Sequence, residues 1–357
     1  MALFLALAAL LGIAPKKDVQ NVILMIGDGM GPLHLEKTKH DRGVSLAMDT
    51  MPMQGFALTY SATDEITDSA AGATALACGV KTYNGAIGYY WMGEPGVERA
   101  EGSYPKSITE LCMENGMKTG IVTTDYTSGA TPGGFSTHTT SRNNSEDIYS
   151  QQLVSGIDLI WGTSNNALSR EAVEDAGYTY VDSIQTMNSV ARDEKSFAQF
   201  TASTYHTYNK NDYTPTLSQM TECAINILSD GNKKGFFLMV EGAHIDKKSH
   251  NVDGDGATEA LVEFDNAVRK ALEFAEKDGH TLVVITADHE TGGIVLNDDG
   301  SYSLTGGKHT AANVPVRAYG PYAFIENGEI INNIEIPVRI AKALEFDDAL
   351  FPAAVFS

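Results

Sequence analysis

Four short apolar runs with little polar alternation do most to limit the folds open to this 357-residue chain: Val22–Ile26, Gly120–Thr124, Gly235–Val240 and Thr281–Thr286. A strand with one wet face alternates apolar and polar residues, whereas a strand apolar at successive positions must be covered on both faces. Helical patterns lie between these runs. The combination predicts an α/β fold with a large, mainly parallel central sheet flanked by helices on both faces. Val314–Tyr319 is a weaker strand candidate. The clearest helix spans Ala257–Lys277, where Leu261, Phe264, Val268, Leu272 and Ala275 recur at steps of three or four and Gly279 is placed to end it. A second helix begins near Ser69 and runs through Ala70, Ala73, Leu76 and Ala77, with side chains small enough to sit close against a sheet. The polar, irregular stretch Ser141–Tyr213 predicts no firm element beyond a helix or two.

Charge narrows the partners. With 46 acidic against 25 basic residues the net charge is −21, which argues against a nucleic-acid partner, because a phosphate backbone needs a basic footprint. An anionic substrate would need local positive charge made inside the site, and bound metal ions supply it. The three cysteines, Cys78, Cys112 and Cys223, give neither a disulfide framework nor a CxxC metal site. Met1–Ala14 is apolar and alanine-rich, with small residues at Gly12 and Ala14 and then Pro15, Lys16 and Lys17. It is too short to span a bilayer and reads as a signal peptide over residues 1–14, hence a periplasmic or secreted protein; a buried N-terminal helix is the alternative. Residues 18–357 then form one domain.

Three of the predicted strands run into acidic residues: Asp28 within Gly27-Asp28-Gly29-Met30-Gly31, Glu241 before Gly242, and Asp288 before His289. Open α/β sheets bind ligands at the carboxyl ends of their strands. A single aspartate there could be a cap or turn residue, but three endings carrying four metal-capable side chains point to a metal site. The glycines around Asp28 are spaced G-x-G-x-G, without the acidic residue of a dinucleotide site some twenty residues on. Asp246 and His250 are one helical turn apart, which suits zinc, although an exposed helix pair would show the same spacing. His309 lies in a glycine-rich segment with no packing rationale, while His34, His40, His206, His244 and His280 do not cluster and are read as structural or solvent-facing. Ser69 sits at a predicted helix N-terminus, where N–H groups favour negative charge; an N-cap serine is the plainer reading. No G-x-S-x-G elbow is present, so a metal would have to activate this hydroxyl in place of a histidine base.

These residues carry a resemblance to the alkaline phosphatases, in particular the bacterial branch. The matching blocks are Ile26 to Gly31, Thr67 to Thr74, Ala130-Thr131-Pro132 with Ser141-Arg142, Val240 to His250, Thr286 to Gly293, and Gly307 to Thr310, in the family's order. The resemblance implies two Zn2+ and one Mg2+ per chain. Asp246, His250 and His309 would hold the first zinc, and Asp28, Asp288 and His289 the second, beside the nucleophile Ser69. Asp28, Thr131 and Glu241 would hold magnesium. Arg142 would clamp phosphate oxygens, Asp68 would orient Arg142, and Lys247 would approach the phosphate. The implied reaction is hydrolysis of small phosphate monoesters at alkaline pH, in two in-line steps through a phosphoserine. A homodimer is implied for the family.

Two departures stand out. Two residues before Thr131 the family carries Asp or His; Gly129 here weakens the expected magnesium shell and leaves Lys247 without its usual acidic neighbour. Between His289 and His309 the chain is short, so the crown segment around 290–309 is minimal and the implied dimer loses contact surface. A phosphodiesterase or sulfatase of the wider superfamily is one alternative, though no C/S-x-P-x-R motif surrounds Ser69. A secreted metal- or phosphate-binding protein without catalysis is the other.

Overall fold

In the computed structural model, which describes residues 18–93, 104–165, 168–200 and 214–346, the predicted strands meet edge to edge. The strands in chain order begin with β1 Asn21–Gly27, β2 Met53–Leu58, β3 Lys118–Tyr126, β4 Leu159–Thr163, β5 Thr179–Val181, β6 Ser196–Phe200 and β7 Phe236–Gly242. They continue with β8 Thr281–Thr286, β9 Glu290–Thr291, β10 Ile294–Leu296, β11 Tyr302–Leu304, β12 His309–Thr310, β13 Val314–Tyr319 and β14 Ile330–Asn332. Ten of them form one sheet in the order β14-β2-β13-β8-β1-β7-β3-β4-β6-β5. It is mainly parallel; only β13 runs against its neighbours β2 and β8. The fold is therefore the expected α/β sheet. Every residue of β1, β7 and β8 is buried, which is why their sequences lack alternation.

Five helices matter for the site: α1 Ser69–Cys78, α2 Ala130–Gly134, α3 Leu217–Ser229, α4 His244–His250 and α5 Gly254–Asp278. The long helix α5 extends the predicted span by three residues at its start and one at its end, and closes on Gly279 in the left-handed conformation at φ 73°. Its Leu261, Phe264, Val268 and Leu272 are buried, each contributing about 2 kcal/mol of apolar burial. It packs on α3 and α4 and against β8, β7 and β1, while α1 packs with α2. All ten residues of α1 are buried, as its small side chains allow.

Within the stretch read as irregular, the described residues 141–165 and 168–200 are more ordered than their sequence predicts. They contribute β4, β5 and β6 to one end of the main sheet, with short helices at Ser145–Val154, Arg170–Asp175 and Ile184–Asn188. Polar residues disguise these strands: Ser196 and Gln199 of β6 are fully buried, and Ser196 Oγ accepts from Trp161 Nε1 at 2.9 Å. Between His289 and His309 the chain forms only two small antiparallel pairs, β10 with β11 and β12 with β9. The proposed signal segment 1–14 and His206 lie outside the described residues.

Candidate active site

Register places the site. Ile26 of β1 lies beside Glu241 of β7 and Thr286 of β8, and Glu241 in turn lies beside Thr123 of β3. The carboxyl ends of four adjacent parallel strands are therefore level, and Asp28, Glu241 and Asp288 converge there. Gly29 lets the chain turn at this edge with φ +74°, and a Cβ on it would lie 2.8 Å from Asp246 Cα. Gly72 of α1 does the same for helix approach, since a Cβ there would lie 2.9 Å from Asp288 Cβ.

Two compact groups result: Asp246 with His250 and His309, and Asp28 with Asp288 and His289, each with ligand atoms within 4.8 Å of one another. Helix α4 presents Asp246 and His250 one turn apart, as predicted. The short β12–β9 pair brings His309 next to the strand that follows His289, and the two imidazoles stack with centroids 3.6 Å apart. The second group is buried, and the first opens toward solvent through His250, whose side chain is 43% exposed.

Hydrogen bonds set the histidine tautomers. His250 Nδ1 is 2.9 Å from the Gly307 carbonyl and His309 Nδ1 is 2.9 Å from the Thr67 carbonyl, so both Nδ1 atoms carry the proton. The Thr291 hydroxyl donates its one proton to Asp246 Oδ1 at 2.5 Å and therefore accepts from His289 Nδ1 at 3.2 Å. All three histidines are left with a bare Nε2 facing the carboxylates. His250 Nε2 and His309 Nε2 stand only 3.1 Å apart, two lone pairs that repel unless a proton or cation lies between them. Two nitrogens bound about 2 Å from a shared tetrahedral zinc are roughly 3.3 Å apart. Asp28 Oδ1 and Asp288 Oδ2, both buried, have no hydrogen-bond partner. Acceptors converging without donors are the chemistry of a cation site, so these residues fit the implied metals. Thr291 ties the two groups together, a role its position in the sequence did not reveal.

Burial pushes the Asp28 and Asp288 carboxyls upward, and at Asp28 the neighbouring charges of Asp288, Asp246 and Glu241 add to the shift. Burial likewise raises Glu241, with Asp125 as the next cause. His289 falls to about 3, through burial and then His309.

Ser69 is the first residue of α1, and its cap is Asp68, whose Oδ1 accepts from Ala71 N at 3.0 Å. This displaces the reading of Ser69 as an N-cap and leaves its hydroxyl facing the second group, with Oγ 3.2 Å from His289 Nε2. Asp68 also accepts from Arg142 Nη1 at 3.1 Å, so one carboxylate both caps the helix and holds the guanidinium. Glu241 accepts from the Thr123 hydroxyl. Thr131 is buried and its Oγ1 makes no hydrogen bond of normal geometry, although it lies near enough to Glu241 to favour the charged carboxylate. Lys247 has no acidic partner at 129, where Gly129 stands, but its ammonium forms an ion pair with Asp125, which the sequence reading did not single out.

The family model for alkaline phosphatases matches residues 19–160 and 157–305, and the chain belongs to that family. Alkaline phosphatase 4 of Bacillus subtilis is 37% identical over 80% of this chain, and the chain spans 64% of that relative's length. Escherichia coli alkaline phosphatase is 32% identical, covering 88% of this chain and 84% of the relative. A variant of the TAB5 alkaline phosphatase, solved with magnesium in its M3 site, has a TM-score of 0.80 at 31% identity and covers 93% of this chain and 100% of its own.

Proposed function

We propose that this chain hydrolyses phosphate monoesters through a phosphoserine formed on Ser69, with divalent cations held by Asp246, His250 and His309 and by Asp28, Asp288 and His289. Two zinc ions in those groups and magnesium beside Thr131 and Glu241 are the proposed occupants. The observation that carries this reading is the convergence of three bare Nε2 atoms with orphaned carboxylate oxygens next to a helix-terminal serine.

When bound, the cations would neutralise charge on the substrate and make hydroxyl and water protons easier to lose. The rest belongs to the protein. Ser69 stands at the N-terminus of helix α1, where the helix dipole favours negative charge. Arg142, held by Asp68, offers its remaining donors to the equatorial phosphate oxygens. His289 lies within reach of Ser69, but burial lowers its basicity to about 3 and its Nδ1 proton goes to a hydroxyl instead of a carboxylate. It is therefore a weak general base and better suited to holding a cation. The exposed His250 side of the first group gives the leaving alcohol and the incoming water a route to solvent. An apolar segment at residues 1–14 supports export to the periplasm or medium as part of the proposal, and among the described residues no helix is long and apolar enough to cross a membrane.

Steady-state kinetics on paired esters test this. p-Nitrophenyl phosphate is expected to exceed bis(p-nitrophenyl) phosphate in kcat/KM by at least about a hundredfold, because a monoester keeps three unesterified equatorial oxygens for Arg142 and the cation site while Ser69 attacks, whereas a diester keeps two and puts an aryl group on the third. Equal or reversed preference would favour a diesterase.

A further inference from the structure

Gly129 leaves a gap in the sequence pattern that the fold fills from elsewhere. A Cβ built on Gly129 would lie 2.8 Å from Asp125 Oδ2 and 3.0 Å from the Tyr126 carbonyl oxygen. The space a longer side chain would take is thus already held by a carboxylate from the end of β3. The register of β3 against β4 shifts between Val122 and Tyr126, and such irregularities re-aim side chains at strand ends. Asp125 N donates to Thr123 Oγ1 at 2.8 Å, and that hydroxyl bonds Glu241, which ties the turned segment to β7. Asp125 Oδ1 pairs with Lys247. Near enough to Glu241 to interact with it stand Asp125 itself, the buried Thr131, whose hydroxyl has no bond of normal geometry, and Asp28 with its orphaned Oδ1.

We propose that Asp125 is the carboxylate that completes the third metal position, replacing the side chain absent at Gly129 and anchoring Lys247 beside it. The assignment rests on the metal-dependent reading above. It makes Asp125 a positioning residue whose effect is read in magnesium binding before activity. It also makes positions 125 and 129 exclusive: with a glycine at 129 the carboxylate comes from 125, and a carboxylate at 129 has room only if 125 is small.

Calorimetric titration of MgCl2 into the zinc-loaded full chain tests this, with zinc content measured in the same samples. Asp125→Ala and the isosteric Asp125→Asn are each expected to weaken magnesium binding at least about tenfold with zinc content unchanged. Adding Gly129→Asp to Asp125→Ala is expected to restore affinity to within about threefold of wild type. Wild-type magnesium affinity in both single variants, or no recovery in the double variant, would overturn the proposal. A wild-type chain that holds zinc but no magnesium would also overturn it while leaving the nucleophile assignment intact. A wild-type chain that holds neither metal would overturn the reading beneath it.

Discussion

Ser69→Ala is expected to lower p-nitrophenyl phosphate turnover by at least about a thousandfold while leaving zinc content and melting temperature near wild type. The variant removes one buried oxygen whose bond, at 3.2 Å, is to His289 Nε2. Helix α1 keeps its cap, because Asp68 holds Ala71 N and Ser69 does not cap the helix. A cap of that kind contributes about 1 kcal/mol, and it is untouched here. The loss therefore falls on kcat and not on folding. Retained turnover would show that another oxygen attacks phosphorus.

Exhaustive chelation is expected to abolish turnover and to lower the melting temperature by an amount that grows with pH. Without cations the buried carboxyls of Asp28, Asp288 and Glu241 have raised pKa values, Glu241 to about 8. Groups raised in the folded state stabilise it fully below their unfolded values near 4, and that stability is lost as pH rises toward the folded values. The metal-stripped protein should therefore weaken steadily from about pH 4 to pH 8. Cations bind the ionised carboxylates and reverse the trend, so the gap between loaded and stripped protein widens. Thermal melts of both forms across this range check the claim; a gap that narrows with pH would contradict it.

Much of the architecture was legible because the central strands are covered on both faces, which removes alternation from Val22–Ile26 and Thr281–Thr286. The strand-end acids and the Asp246–His250 spacing were legible for the same local reason: their chemistry depends on neighbours close in sequence. What escaped notice depends on distant partners. β6 reads as polar until Trp161 and Thr127 are placed against Ser196 and Gln199. Thr291 gains its role from bonding Asp246, and Asp125 from a register shift that turns it toward Lys247. The reading at Gly129 concerned one position in sequence, and the proximity of the Asp125 carboxylate to it appears only once the chain is folded.

The central claim is that Ser69 carries the phosphoryl group between the two displacement steps. Acid quenching of the metal-loaded enzyme during turnover, followed by peptide mass spectrometry, tests it most directly. The expected result is a phosphoryl adduct on Ser69 that is absent from the chelated enzyme. Turnover with no adduct, or an adduct on any other residue, would contradict it.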